Sequence, residues 1–403
     1  MIHRAWSIFA VSFLTLFVNY SIRDGTYSVL LPEMIKDLQM TKAQAGMIKS
    51  AFSLTYLLFS PLMGWLTDRI GGRKVISFFC LFLGAGTFLM GKANSFSSAA
   101  FFYGLIGIGA AASWVPIATL IQNWFGARKR GLILGALCMS YGIGFGLMGL
   151  ILPVIVLKYH WRVVWSTLGI SGFSLFFING LVLRDRPEKM GLLPWGESEE
   201  PNRAVKEKIP AVQMMDYLDM LRKRRFWIMG ISYLAICYGT YAVVDFIVTY
   251  GTMELQIPYR IASLSITVIS LSGMFGGILL MALSDHIGRR KSLVITQTLI
   301  AMAVLFVIVG RDHIFSLMLG MGCFGFLFGA VWPMYAACVR DYFSEEAAGT
   351  VLGLLTIFYG VGGMLSPAIT GYLADLTGTY RWSFGLGAFA CLVAALLIGF
   401  LER

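Results

Sequence analysis

Asn19-Tyr-Ser-Ile-Arg-Asp-Gly-Thr-Tyr-Ser-Val-Leu-Leu-Pro32 lies inside the first long apolar run of the chain, which begins at Trp6. The run has the length of a membrane-spanning helix, about 20 residues or more, yet Arg23 and Asp24 sit well inside it. A charge near the centre of a bilayer costs about 2.5–3.5 kcal/mol on insertion scales, so such groups turn towards protein or a water-filled cavity. Residues four apart share a helix face. Asn19, Arg23 and Tyr27 therefore make one polar stripe, and Tyr20 and Asp24 a second beside it. Neighbours in sequence point in different directions, so Arg23 and Asp24 read as poor partners for each other. This helix is read as lining a central pathway in which Arg23 meets an anionic substrate.

The rest of the chain has the same apolar character. Of 403 residues, 58% are hydrophobic and 13% charged, and the mean hydropathy is +0.75. A bilayer can solvate that much apolar surface, whereas a soluble fold of this size cannot hide it. Twelve apolar runs can be drawn, at about 6–32, 44–66, 75–92, 97–124, 131–156, 161–183, 226–250, 261–284, 291–310, 314–340, 349–373 and 382–401. They lack the polar–apolar alternation of a transmembrane barrel, so the expected fold is an all-α integral membrane bundle. No short apolar core with a small-residue cleavage site marks a removable leader. The first run is therefore expected to be retained.

The net charge of +11 is explained by topology. With twelve spans, both termini share one side with the even-to-odd loops. That side carries 22 of the 32 Lys and Arg and the other side 8, while Arg23 and Lys49 fall inside spans. The positive-inside rule then places both termini in the cytoplasm of a multi-pass protein of the plasma (inner) membrane. No nucleic-acid footprint is called for. The six cysteines all fall in apolar runs without metal-ligand spacing and read as small buried residues. The four histidines lie in loops or at run ends, so no metal and no cofactor is expected. A Gly-x-x-x-x-Gly-Lys-Ser/Thr loop is absent, as is a His-Glu-x-x-His or similar catalytic set. The chain is therefore not read as an ATP-driven pump or an enzyme. A receptor built on the same fold would need a soluble signalling module, for which the polar segment 184–225 is too short.

That segment divides the chain into an N-terminal six-helix bundle (1–183), a cytoplasmic linker (184–225) and a C-terminal six-helix bundle (226–403). It holds Pro187, Pro194, Gly196, Pro201 and Pro210. From Ala211 to Arg225 it places Met214, Met215, Leu218 and Leu221 on one face, which reads as a short amphipathic helix on the membrane surface. The halves repeat one another. Asp68-Arg-Ile-Gly-Gly-Arg-Lys74 recurs as Asp285-His-Ile-Gly-Arg-Arg-Lys291. Trp124-Phe125, Gly131-x-x-x-Gly135 and Tyr141-Gly-x-Gly144 recur as Tyr342-Phe343, Gly349-x-x-x-Gly353 and Tyr359-Gly-x-Gly362. Pro116 matches Pro333, and Trp6, Tyr20 and Asp24 match Trp227, Tyr241 and Asp245 at constant spacing. Such repeats predict two parallel bundles related by an axis along the membrane normal.

Gly64-x-x-x-Asp68-x-x-Gly71-x-Arg73-Lys74 after span two resembles the signature loop of the major facilitator superfamily. Its second copy keeps Asp285, Gly288, Arg290 and Lys291 but has Met281 in the first glycine position. With twelve spans in two sixes, the resemblance covers essentially the whole chain. It implies that spans 1, 4, 7 and 10 line the cavity and that the Asp68 and Asp285 loops steady a cytoplasmic gate. Asn19-Tyr-x-x-Arg23, with Pro32 closing the span, is similar to organic-anion symporters. Asp185-Arg-Pro-Glu-Lys-Met-Gly-Leu-Leu-Pro194 resembles a segment of oxalate–formate and monocarboxylate porters. Span eight lacks the charged residues common in those porters. Tyr103 ahead of Gly107-Ile-Gly109, and the missing Gly-Pro motif in 142–153, depart from drug–proton antiporters.

The expected function is thus secondary active transport of a small organic anion, a carboxylate, by proton symport with alternating access. The protein would work as a monomer in the lipid bilayer. A proton-coupled exporter of drugs or metabolites is the alternative. Arg23 supplies a planar fork for a carboxylate, or pairs with Asp245 from the matching place in span seven. Asp245 and Asp24 are the candidate proton carriers. Asn19, Tyr20, Tyr27, Tyr241, Tyr335 and Tyr359 offer polar contacts to substrate. Lys49 is expected to stretch its stem to the membrane interface, with a second cation in the anion pathway as the sharper alternative.

Overall fold

A computed structural model describes residues 3–196, 221–310 and 314–401. Twelve long helical segments account for most of them: α1 Arg4–Asp37, α2 Lys42–Ile70, α3 Gly72–Met90, α4 Phe96–Trp124, α5 Ala127–Lys158, α6 Trp161–Val182, α7 Arg224–Glu254, α8 Tyr259–Ile287, α9 Arg289–Val309, α10 Ile314–Tyr342, α11 Glu345–Thr377 and α12 Tyr380–Gly399. Eleven, all except α2, are long and apolar enough to cross a membrane. α2 has 29 residues, about 43 Å of helix, and so has the length. Lys49 and several serines and threonines dilute its hydropathy. The amphipathic helix expected at 211–225 falls mainly outside the described residues. Cys138 and Cys323 are exposed, against the expectation of buried cysteines. A helix face turned to lipid is solvated by apolar chains, so an apolar run does not imply burial in protein.

The chain divides into two compact units, Met1–Met40 with Met47–Glu200, and Thr41–Gly46 with Pro201–Arg403. In the first, α1 packs on α5 and α6, and α3 on α4 and α6. In the second, α7 packs on α11 and α12, and α9 on α10 and α12. Each pairing recurs six helices later, as the sequence repeat requires. Side-chain detail recurs too. The Arg73 guanidinium donates to Gly180 O at the end of α6, and Arg290 donates to Gly399 O at the end of α12. Within the second unit, the Asp375 carboxylate accepts from the amides of Lys42 (2.9 Å) and Ala43 (2.7 Å), capping the start of α2. Glu254 accepts from Lys42 Nζ at 3.2 Å, Thr379 Oγ1 at 2.7 Å and the Tyr380 amide at 2.8 Å.

Three helices are irregular, and their irregularities position the site. α1 opens into a π-turn over Ser21–Thr26. α4 breaks at 112–113, ahead of Pro116. α7 breaks at 245–246 and ends in a π-turn over Tyr250–Glu254. The π-turn in α1 has visible local causes. Thr26 Oγ1 donates to Ser21 O at 2.8 Å, occupying a carbonyl that the backbone ladder of a regular helix would use. Gly25 lets α5 come close: a Cβ there would stand 2.8 Å from Phe145 O. Pro32 does not close the span as expected, because the helix runs on through it to Asp37. Membrane-spanning helices tolerate such prolines where neighbouring groups satisfy the freed carbonyl.

Candidate functional site

The π-turn overturns the expectation that Arg23 and Asp24 cannot meet. Its wider coil narrows the angle between successive side chains, and Arg23 Nε donates to Asp24 Oδ2 at 2.8 Å. Lys49 Nζ donates to Asp24 Oδ1 at 2.9 Å and to Arg23 O at 2.8 Å. The Tyr103 hydroxyl donates to the same Arg23 carbonyl at 2.6 Å. Lys49 therefore does not stretch to the interface. Its side chain is 2% exposed, that of Asp24 3%, and that of Arg23 16%. Asp24 accepts from two cations at once, so Arg23, Asp24 and Lys49 form one charged cluster in the middle of a membrane-spanning segment.

Aromatic rings surround the cluster. The Arg23 guanidinium lies 5.1 Å from the centres of Tyr20 and Tyr56 and 5.9 Å from that of Phe52, within cation–π range. Lys49 Nζ is 5.4 Å from Phe52 and 5.6 Å from Tyr27. Tyr27 packs on Tyr103 with centroids 4.7 Å apart, and Tyr20 meets Tyr141 edge-on at 5.0 Å. Asn19 Nδ2 donates to Ser113 Oγ at the break in α4. The expected residues Asn19, Tyr20, Arg23, Asp24, Tyr27 and Lys49 are thus assembled in the first unit. Sequence reasoning missed Phe52, Tyr56, Tyr103 and Ser113 as their neighbours. A signal for two of them existed, since Lys49, Phe52 and Tyr56 are spaced three and four apart and share one face of α2.

The second unit collects the other expected tyrosines around Ser232, Tyr233 and Gln297. The hydroxyls of Tyr335 and Ser232 hydrogen-bond, and Gln297 Nε2 donates to Tyr335 at 2.8 Å. Tyr233 stacks on Tyr335 at 4.2 Å and lies 4.8 Å from Tyr359, which meets Tyr241 edge-on at 6.1 Å. Asp245 is buried at the break in α7, where its amide donates to Tyr241 O at 3.1 Å.

The two signature loops share a backbone form. Gly71 and Gly288 both have φ of 90°, a left-handed conformation that favours glycine. In the first copy, Asp185 Oδ1 accepts the Arg73 amide at 2.8 Å, and Arg73 Nε donates to Gly180 O at 2.9 Å. Gly64 has only Val115 near its Cβ direction, at 3.9 Å. Asp68 and Lys74 are exposed, whereas Asp285 pairs with Arg289 one turn on. Lys291 is also exposed.

Among the described residues, no group of His, Cys, Asp and Glu is placed to hold a metal ion. The first-unit site instead offers two cations on one carboxylate, aromatic walls and several hydroxyls, polar groups of the kind that orient a small polar solute.

The Major Facilitator Superfamily profile matches residues 8–281 and again 247–403. The probable galactarate/D-glucarate transporter GarP of Escherichia coli K12 is 23% identical over 93% of this chain and 89% of its own length. The probable sulfoacetate transporter SauU of Cupriavidus necator is 25% identical over 96% of this chain and 92% of its own. Both are transporters of organic acids, not enzymes. The crystal structure of the nucleoside transporter NupG aligns with a TM-score of 0.79, covering 98% of this chain and 99% of that one. At 12% identity this likeness bears on the fold alone.

Proposed function

The chain belongs to the major facilitator superfamily, and on that premise we propose that it is a secondary active transporter of a small organic anion, a carboxylate, by proton symport. The observation that carries this reading is the Arg23–Asp24–Lys49 cluster. Two cations face one carboxylate, and Arg23, the more exposed cation, sits on a platform of Tyr20, Phe52 and Tyr56. A substrate carboxylate would find a planar guanidinium fork beside an aromatic platform. Tyr27, Asn19, Tyr241, Tyr335 and Tyr359 would supply the remaining polar contacts. Asp245 and Asp24 would carry the coupling proton. The relatives' substrates, galactarate or glucarate and sulfoacetate, are small polar organic acids of the same kind.

In this reading the bundles 1–183 and 226–403 move about the 184–225 linker in alternating access, and the loops at Asp68 and Asp285 steady the closed gate. The protein works as a monomer in the inner membrane with both termini in the cytoplasm. The test is a thermal-shift screen of purified protein against galactarate, glucarate, sulfoacetate, neutral sugars and cationic drugs. Stabilisation by one or more of the acids is expected, and Arg23→Lys should lose it, because an ammonium lacks the bidentate fork. Stabilisation by cations or neutral sugars alone would overturn the reading.

A further inference from the structure

A second basic site lies away from the central cluster. At the end of α3 and α6 nearest the linker, a cavity of about 490 Å³ opens between the two helices. Its rim carries Arg73, Lys74, Arg184 and Lys189, and its wall Phe78 and Phe176. We propose that this cavity binds the headgroup of an anionic phospholipid, with the acyl chains lying along the α3–α6 surface.

Three features support that assignment. The first is charge. Four cations meet one carboxylate, that of Asp185, and one of its oxygens accepts the Arg73 amide at 2.8 Å. The second is preorganisation. The Arg73 guanidinium is held by Gly180 O, and Arg184 Nη1 by Leu181 O at 2.9 Å and Leu183 O at 2.7 Å. Both arginines are thereby anchored at the depth where α6 ends. Lys74 and Lys189 are exposed and make no ion pair among the described residues. The third is the apolar flank. Phe78 is 52% exposed, and Phe177 and Leu181 on α6 are more exposed still. In a membrane-spanning pair of helices that surface faces acyl chains. A soluble phosphate would use the cations but leave this flank unexplained. Basic pockets between spanning helices on the positively charged side are suited to anionic headgroups.

The experiment titrates purified protein in detergent micelles with palmitoyl-oleoyl phosphatidylglycerol, the matching phosphatidylcholine, or soluble glycerol phosphate. It reads the unfolding temperature, and the number of retained lipids by native mass spectrometry. Phosphatidylglycerol should stabilise the protein and be retained at concentrations where phosphatidylcholine is not. Each basic side chain at an anionic lipid surface strengthens association about fivefold, so Lys74→Gln/Lys189→Gln should weaken it about 25-fold. The charge-matched control Lys92→Gln/Lys158→Gln, just past the far end of α3 and at the last residue of α5, should leave it unchanged. Equal response of the unmodified protein to both lipids would overturn the proposal. So would full protection by glycerol phosphate, or equal weakening by the control.

Discussion

Replacing Lys49 with methionine keeps the bulk of the side chain and deletes its ammonium. The ammonium is held by Asp24 Oδ1 at 2.9 Å and Arg23 O at 2.8 Å, in a side chain 2% exposed. Hydrogen bonds to charged groups contribute about 1.5–3 kcal/mol each, so the two together account for about 3–6 kcal/mol. Removing one partner of a buried ion pair costs about 3–5 kcal/mol. The lower end is expected here, about 3 kcal/mol, because Asp24 keeps Arg23 at 2.8 Å and the Arg23 carbonyl keeps the Tyr103 hydroxyl at 2.6 Å. Asp24→Asn should be more damaging, since it removes the carboxylate that both cations share. The double variant Lys49→Met/Asp24→Asn should cost less than the sum of the singles, by about 0.5–3 kcal/mol. The measurement is the denaturant dependence of unfolding in detergent micelles at fixed lipid content, for all four members of the cycle. A Lys49→Met protein within about 0.5 kcal/mol of the parent, or strictly additive singles, would refute the ion-pair reasoning.

Gly71→Ala should lower the unfolding temperature sharply, because a Cβ there stands 2.7 Å from the Asp185 carboxylate on a backbone with φ of 90°. Gly64→Ala should have little effect, its nearest neighbour being Val115 at 3.9 Å. Asp375→Ala removes the cap from the Lys42 and Ala43 amides. It should cost about 1 kcal/mol and speed hydrogen exchange at the start of α2, and unchanged exchange there would contradict the capping. Asp245→Asn should abolish uphill accumulation in proteoliposomes while retaining counterflow exchange, which needs no net proton movement. Retained uphill transport would remove Asp245 from the coupling mechanism.

Much of the fold was legible because bilayer physics leaves few solutions. A backbone in lipid must satisfy its own hydrogen bonds, so apolar runs of this length read directly as helices. The repeat of Asp68–Lys74 at Asp285–Lys291 located matching helix ends. The structure gives those ends matching chemistry, with Arg73 on Gly180 and Arg290 on Gly399. The weakest apolar signal belonged to α2. The polar residues that dilute its hydropathy include Lys49, the residue α2 contributes to the cluster. A reading that ranks helices by hydropathy alone therefore undervalues the ones that carry chemistry.

The central cluster was half legible for a more specific reason. The stripe rule assumes 3.6 residues per turn, and on that rule Arg23 and Asp24 diverge. The chain departs from 3.6 at this point, where Gly25 admits α5 and Thr26 takes the Ser21 carbonyl. Neither Gly25 nor Thr26 alone is a strong signal, since both are ordinary in membrane helices. Their effect depends on α5 bringing Phe145 O to Gly25, a contact that only the packed unit contains. The consequence is chemical. A regular helix would aim Arg23 and Asp24 at different neighbours. The π-turn turns both towards Lys49 and the aromatic ring set, and so concentrates charge of both signs on one side of α1. On the proposed reading, a carboxylate meeting Arg23 would compete with Asp24, and Asp24 would retain Lys49 if Arg23 were drawn away. Lys49 would then let the arginine change partners without stranding a buried carboxylate, a role for the second cation that a lone Arg–Asp pair would lack.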